Sequence, residues 1–476
     1  MTPQTLTGGA APTVCRLHHK RLRADVSTGA LNEAVADLKF PAILGGNAAV
    51  ADAGRFSYWV ARPREIFVFR SGQDDPFVRL ERALGKYRLW ESSPPDVPRG
   101  VFVGGWVGHF SYELGRYIEQ LPQTTVDDLR LPLIRLCFYD RVICYDHRAR
   151  RFSLFALEMP GDKVSGQDKL AELEVFLRRL HRRDLPKPAC RSMEEIDFGS
   201  LGCNMTKAYY LDAVARIKRY IYDGEVYQIN FSQRFECEYG GRPVDLFHWQ
   251  NTYNASGYAA YIDAGDYQVV SASPEVFITV ADGYIKTKPI KGTRPRISGS
   301  GEAEQLNARN YAELLHSEKE KAELNMIVDL ERNDLARICI PGTRKVTQPR
   351  TIEAYPTVFH AVATVGGKLK AEIGFCDILR AMFPGGSITG APKIRSMEII
   401  DETEPTARGI YTGSIGFVGV DGSVCLNIAI RTVIIANKTA FVQTGGGIVA
   451  DSDPQAEWHE TITKARALVA GIKAVG

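Results

Sequence analysis

From Thr206 onward the chain turns periodic. Apolar residues at Tyr210, Val214, Ile217 and Ile221 recur at helical spacing and lay one stripe along a predicted helix, which Gly224 stops. Beyond that stop the period drops to two. Over residues 226–235, Tyr227, Ile229, Phe231 and Phe235 fall on one face of a predicted strand, and Gln228, Asn230, Ser232 and Arg234 fall on the other. The second face is polar throughout, so it either meets water or lines a wet cleft; spacing leaves both open. Further on, the pattern predicts a helix over residues 310–330, a glycine-rich turn over 384–392 leading into another helix, and strands ending at Arg431 and Thr444. A last helix starts at Pro454, with Asp453 as its N-cap.

The first part of the chain reads differently. Short β-like runs at 65–70, 133–145 and 151–157 surround the glycine-punctuated GGWVGHFSYELGRYIEQLP at 104–122. Between the two parts, residues 180–206 mix charge, two prolines and small residues without sustained periodicity, which reads as a connector. There is no internal repeat.

Composition narrows the partners. At 476 residues, 59 Lys and Arg nearly balance 56 Asp and Glu, so a net charge of +3 gives no general attraction to nucleic acid or anionic membrane. The nine cysteines are scattered, odd in number and form no CxxC pair, as in a reducing compartment. No apolar run approaches the roughly 20 residues that span a bilayer, and the polar start MTPQTLTGGAAPT lacks a signal peptide's apolar core. The expectation is a cytoplasmic protein. HHKRLR at 18–23 reads as a solvated face rather than an address.

Candidate chemistry sits in four places. Glu320 and Glu323 on one predicted helix, and Glu457 and Glu460 on another, form two ExxE pairs; residues three apart share a helix face, and Lys464 extends the second stripe. Paired carboxylates suit Mg²⁺, although a solvated Glu/Lys face has the same spacing. KTKPIKGTRPR places Lys291 in a predicted turn crowded by Lys288, Arg294 and Arg296; neighbouring cations and desolvation are what an amine nucleophile needs, while most basic loops are only solvated. The predicted glycine loops FPGGSITGAPK and TGGGIV allow backbone N–H groups to approach an anion, and neither carries a nucleotide-binding signature. Arg431, ending the apolar CLNIAIRT, is placed for a bidentate carboxylate clamp, and His360 stands among apolar residues, either as a core residue or as a catalyst.

Taken together and in order, SASPEVF, PIKGTRPR, AELNMIVDLERNDLARI, FPGGSITGAPKIRSMEIIDETEP, YTGSIGFV, IAIRT and GGGIVADSDPQAEWHET resemble the chorismate-utilising enzymes. That family includes the anthranilate, aminodeoxychorismate, isochorismate and salicylate synthases. The resemblance implies an α/β protein with two antiparallel sheets packed face to face and helices outside. Residues 1–195 would be woven into the same body as a chorismate-binding catalytic region at 204–472.

Carried over by position, the resemblance makes Glu320, Glu323, Glu457 and Glu460 an Mg²⁺ cluster that bridges to the ring carboxylate of chorismate. Thr389, Tyr411, Arg431, Gly445, Gly446, Gly447 and Lys464 would hold the substrate's carboxylates and enolpyruvyl group, with Gln228 and Thr293 completing the set. Glu275 would be the general acid/base, and His360 would lie beside the ring. Water-adding members carry a lysine where Gln228 stands, so its absence implies ammonia as nucleophile. Lys291, where carbon 2 aminating members carry alanine, implies a covalent lysine intermediate and amination at carbon 4.

The rival within the family, anthranilate synthase, shares every feature except Lys291. A silent subunit that only binds chorismate or a partner is the alternative from another class. No GxCxG turn of a glutaminase occurs in the sequence, so the resemblance implies a separate glutamine amidotransferase subunit. Where anthranilate synthases build a tryptophan pocket from a Leu-Leu-Glu-Ser motif, this chain has ILGGNAA at 43–49, a departure that weakens the expectation of tryptophan feedback and leaves a structurally bound tryptophan open.

Overall fold

The computed structural model describes residues 11–46, 54–180, 186–189, 196–297, 299–355 and 358–476. Residues 1–10 of the polar start, 47–49 of ILGGNAA, and 181–185 and 190–195 of the predicted connector lie outside them. Among the described residues two sheets form, one of 13 strands and one of 10. All their strand pairs are antiparallel except Thr13–Leu22 with Tyr87–Leu89, which run in parallel.

The sheets pack face to face through apolar side chains. Tyr58 of Phe56–Val60 in the larger sheet meets Phe417 of Ser414–Gly419 in the smaller one edge-on, with ring centroids 5.6 Å apart. His109 Nε2 and Tyr267 Oη, one from each sheet, lie 2.6 Å apart in the same interior. Each fully buried aromatic or aliphatic side chain of this kind stabilises the fold by about 1.5–3 kcal/mol. Strands from before and after the connector pair in both sheets: Ala42–Leu44 with Ala260–Asp263, and Gly105–Phe110 with Ser414–Gly419.

Several local expectations match. The helix Lys207–Tyr222 has Thr206 as its N-cap, buries Tyr210, Val214 and Ile217, and is followed by Gly224 at φ +80°. Asp453 caps Pro454–Val475, its carboxylate accepting from Ala456 N at 2.8 Å. Others need correction. The helix predicted over 310–330 is two helices, Glu302–His316 and Glu318–Ile338, because Ser317 leaves the helical region and caps the second, its hydroxyl accepting from Glu320 N at 3.4 Å. KTKPIKGTRPR is not a turn but most of two strands, Tyr284–Lys288 and Ile290–Pro295. The TGGGIV segment is no loop either: the strand Thr439–Ile448 runs through all three glycines. Arg431 follows the strand Val424–Ile428 in a left-handed turn at φ +49°. Part of the predicted connector is ordered as well, since Gly202–Cys203 pairs with Gln228–Glu238.

Three features of this architecture place the site. Gln228–Glu238 runs beside the glycine strand, with Asn230 opposite Gly447, Phe231 opposite Gly446 and Ser232 opposite Gly445. Ile290–Pro295 pairs with Val358–Lys368 in the smaller sheet, setting Thr293 opposite His360. The chain crosses from the larger sheet to the smaller one between Tyr267–Ser271 and Val276–Ala281, and Glu275 lies on that crossing.

Candidate active site

The buried stripes of two helices explain why their carboxylates point inward. In Glu318–Ile338 the buried residues Ile338, Leu335, Glu331, Val328, Ile327 and Leu324 step back three or four at a time toward Glu323 and Glu320. In Pro454–Val475 the stripe Ile472, Leu468, Ala465 and Thr461 steps back to Glu457, while Glu460 and Lys464 flank it and stay about half exposed.

Both helices converge on the glycine strand. A side chain at Gly446 would stand 3.1 Å from Glu457 Oε2 and 3.6 Å from Glu460 Oε1. One at Gly447 would stand 2.1 Å from Gln228 Nε2 and 3.3 Å from Glu323 Oε1. A Cβ at Gly447 would displace the Gln228 amide, and one at Gly446 would crowd the Glu457 carboxylate.

Each carboxylate has its own partner. Glu323 Oε1 accepts from Gln228 Nε2 at 2.6 Å and pairs with Lys291 Nζ at 3.0 Å. Burial pushes the Glu323 pKa up, but Lys291 and Gln228 outweigh it and hold the carboxyl below its ordinary value. Glu320 Oε1 takes Arg294 at 2.7 Å. Glu457 accepts from Ser452 Oγ at 2.6 Å, and its pKa is raised by burial and by neighbouring Glu460. Lys464 pairs with Glu460 at 2.7 Å and donates to Gly445 O at 2.9 Å.

The expected crowding of Lys291 by free cations is corrected by these pairings. Lys288 is held by Glu353 at 2.7 Å, Arg294 by Glu320, and Arg296 by the Tyr355 carbonyl at 2.8 Å. Lys288 and Arg294 are therefore neutralised, whereas Arg296, bonded to a neutral carbonyl, keeps its charge.

Opposite lies an acid of the other kind. Burial raises the Glu275 pKa, against smaller opposing contributions from Ser387, Lys291 and the Ile290 N–H. His360 is buried, with Nδ1 2.9 Å from Thr293 Oγ1, and desolvation together with Arg431 pushes its pKa down to about 3, so the ring is neutral. Arg431 makes no ion pair among the described residues; desolvation lowers its pKa, yet a guanidinium keeps its charge at any ordinary pH. Tyr411 is buried, with its pKa raised by desolvation. Thr389 is buried, and its hydroxyl donates to Gly385 O at 3.1 Å.

Three buried polar atoms here have no partner among the described residues: Glu320 Oε2, Gln228 Oε1 and His360 Nε2. Buried polar groups are nearly always paired, so these atoms have bonding capacity left for a ligand, ion or water. An all-oxygen carboxylate set fits a hard divalent cation. It is not a ready-made cage, since no group of three His, Cys, Asp or Glu among the described residues is gathered tightly enough to hold an ion alone. The remaining ligands of such an ion would be waters and oxygens of an anionic substrate.

The polar face of Gln228–Glu238 is resolved as interior. Gln228, Ser232 and Arg234 are all buried, bonded to Glu323, Glu404 and Asp128 respectively. Tyr227, expected on the apolar face, lies just before the strand and is 68% exposed. Ser387 and Arg294 were not singled out for their contacts with Glu275 and Glu320; both lie inside motifs whose chemistry was legible, but their partners are distant in sequence. A separate cavity of about 420 Å³, lined in part by Leu44, Gly45, Tyr58, Tyr258 and Phe417, includes none of the residues assigned to the site by resemblance. Leu44 and Gly45 belong to the ILGGNAA departure.

Comparison with known proteins follows the same lines. A family model described as chorismate binding enzyme matches residues 49–470. Anthranilate synthase component 1 of Pseudomonas aeruginosa is 39% identical over 401 residues, covering 83% of this chain and 79% of that one. Aminodeoxychorismate synthase component 1 of Bacillus subtilis is 40% identical over 367 residues, covering 77% and 76%. The crystal structure of anthranilate synthase component I from Streptococcus pneumoniae matches with a TM-score of 0.73 at 31% identity, over 89% of this chain and 93% of that one. Overall identity does not choose between the two chemistries, but the family model spans most of the chain, and the chain belongs to the chorismate binding enzyme family.

Proposed function

We propose that the chain is the large subunit of an aminodeoxychorismate synthase, converting chorismate and ammonia to 4-amino-4-deoxychorismate for 4-aminobenzoate and folate synthesis. The observation that carries this reading is Lys291 Nζ: largely buried, 3.0 Å from Glu323, and near enough to Glu275 to pull that carboxyl's pKa down against burial. An anthranilate-type site needs no amine there.

Attack requires the neutral amine, so the Lys291 proton leaves first, and Glu323 Oε1 is a near acceptor. The Nζ lone pair then forms a bond to carbon 2, the ring double bonds shift, and the carbon 4 hydroxyl departs as water with the proton of Glu275. Ammonia bonds to carbon 4, the double bonds return, and the carbon 2–nitrogen bond breaks to free Lys291. The proton shed by the attacking ammonia restores Glu275, and the enolpyruvyl ether is untouched. His360, neutral, can donate or accept one hydrogen bond without adding charge, and Arg431 supplies a cation for a substrate carboxylate. Glu320, Glu323, Glu457 and Glu460, with water and substrate oxygens, would hold Mg²⁺, which when bound would supply positive charge beside the ring carboxylate.

Ammonia would come from a separate glutamine amidotransferase subunit, since no GxCxG turn occurs in the sequence. Scattered cysteines support a cytoplasmic setting, and among the described residues no helix is long and apolar enough to cross a membrane. The second reading, anthranilate synthase component I, draws on the Pseudomonas aeruginosa relative. Incubating purified protein with chorismate, Mg²⁺ and an ammonium salt separates the cases. Aminodeoxychorismate, convertible by a lyase to 4-aminobenzoate, is the expected product; fluorescent anthranilate would establish the second reading, and no turnover would leave only a binding subunit.

A further inference from the structure

Behind the candidate substrate wall lies an ion pair sealed from solvent. Arg408 and Glu404 stand four residues apart, and each side chain is 1% exposed. A guanidinium has five N–H donors, and here every one has an acceptor. Nε donates to Glu404 Oε2 at 2.8 Å, and Nη2 donates to Glu404 Oε1 and to the Asn230 carbonyl, both at 2.6 Å. Nη1 donates to the Ile388 carbonyl at 3.0 Å and to Thr412 Oγ1 at 3.3 Å.

The acceptors beyond Glu404 lie on three segments that meet only in the folded protein. Asn230 is the ladder partner of Gly447, Ile388 precedes Thr389, and Thr412 follows Tyr411. Glu404 extends the network to Ser232, accepting from its N–H at 2.9 Å and its hydroxyl at 2.8 Å. The first half of the chain closes it from behind. The Tyr112 ring lies 4.7 Å from the guanidinium, and Glu113 accepts from the Arg408 and Gly409 N–H groups at 2.7 and 3.0 Å.

With its charge matched and its donors saturated, this arginine has nothing left to offer a substrate anion. Nor is it merely a stabilising pair. Apolar residues of similar volume often replace a buried ion pair without loss of stability, but they cannot hold two carbonyl oxygens and a hydroxyl at set distances. We propose that Arg408, locked by Glu404, is a positioning residue: it holds the segments bearing Thr389, Tyr411 and Gly447 in mutual register, and so sets turnover without touching substrate. The inference rests on the reading of those segments as the chorismate wall.

The test compares wild type, Arg408→Lys and the double variant Arg408→Met/Glu404→Met in the chorismate and ammonium assay, with thermal midpoints measured by circular dichroism. Lysine keeps the charge opposite Glu404 but has three donors for five acceptor contacts, and misplacement of about 1 Å costs on the order of 100-fold in rate. The expected result for Arg408→Lys is a kcat lowered by about 100-fold, with the KM for chorismate changed by less than about fivefold. The double variant should regain thermal stability without regaining kcat.

A folded Arg408→Lys protein with wild-type kcat, or a double variant whose kcat recovers along with its midpoint, overturns the positioning role. If neither variant folds, Tyr112→Leu takes their place, since it removes only the ring packed on the guanidinium. A kcat lowered with the midpoint kept supports the proposal, and an unchanged kcat overturns it. A wild type that consumes no chorismate removes the functional reading itself, whereas an active wild type with unaffected variants removes only the role of Arg408.

Discussion

Replacing Glu275 with glutamine separates chemistry from stability, because the two should move in opposite directions. The carboxyl is buried, and desolvation raises its pKa, so more of it carries a proton near neutrality than an exposed glutamate would. A positioned general acid contributes about 10²–10⁴-fold, or about 2.7–5.4 kcal/mol of barrier at 1.36 kcal/mol per tenfold. Glutamine keeps the shape but has no acidic proton. The variant's kcat should fall by that factor, measured by chorismate consumption with ammonium as nitrogen source.

The pH profile should change as well. Wild-type kcat depends on protonated Glu275, which sets the alkaline limb: it falls about tenfold per unit once pH exceeds the raised value, while the need for neutral amines sets the acid limb. The variant should lack the alkaline limb. Stability follows from linkage. The folded protein binds this proton more tightly than the unfolded chain, so the corresponding stability is complete below the unfolded value of about 4.3 and is lost as pH rises through the folded one, at about 1.4 kcal/mol per unit of elevation. Glutamine suffers no such loss. Glu275→Gln should therefore melt later than wild type at pH 8 and no later at pH 4. A variant that keeps kcat within about fivefold, or one whose lost activity tracks a lower melting temperature at pH 8, would refute the assignment of Glu275 as the acid.

Three further outcomes are expected. Lys291→Ala should abolish any covalent adduct seen by intact-protein mass spectrometry after quenching with chorismate present; an adduct that persists removes lysine from the mechanism. Gly447→Ala would place a Cβ 2.1 Å from Gln228 Nε2, forcing that side chain off Glu323, and should lower kcat/KM by about 100-fold while the far-ultraviolet spectrum stays native. Wild-type activity within threefold would show that the close approach is dispensable. Chelation with EDTA should abolish turnover, and Mg²⁺ should restore it; activity that survives exhaustive chelation removes the metal from the site.

Much of the site was legible because its chemistry is written in short spacings. Two ExxE pairs, a capped last helix and a polar alternation at Gln228, Asn230 and Ser232 each depend on residues within a turn or two of one another. Helical and strand periods determine which side chains share a face, and those assignments hold in Lys207–Tyr222 and Pro454–Val475. Errors came where a short pattern was assigned a conformation without knowledge of its neighbours. The glycines at 445–447 read as a loop, yet pairing with Gln228–Glu238 makes them a strand, because a neighbouring backbone supplies hydrogen bonds that local propensity does not foresee. Lys291 read as a lysine among free cations, but Glu353 and Glu320 neutralise Lys288 and Arg294, and Glu323 takes Lys291 itself.

By itself the sequence determined which residues are candidates for chemistry, which faces of each helix are apolar and which family pattern the motifs follow. Only the tertiary structure decided what each face meets: that Glu323, Glu457 and Glu460 converge on one glycine strand, that the polar face beside it is interior, and that Arg408 joins three segments. The physical reason is range. Periodicity and capping act between residues a few positions apart, whereas burial, desolvation and ion pairing depend on which distant segments the two sheets bring into contact.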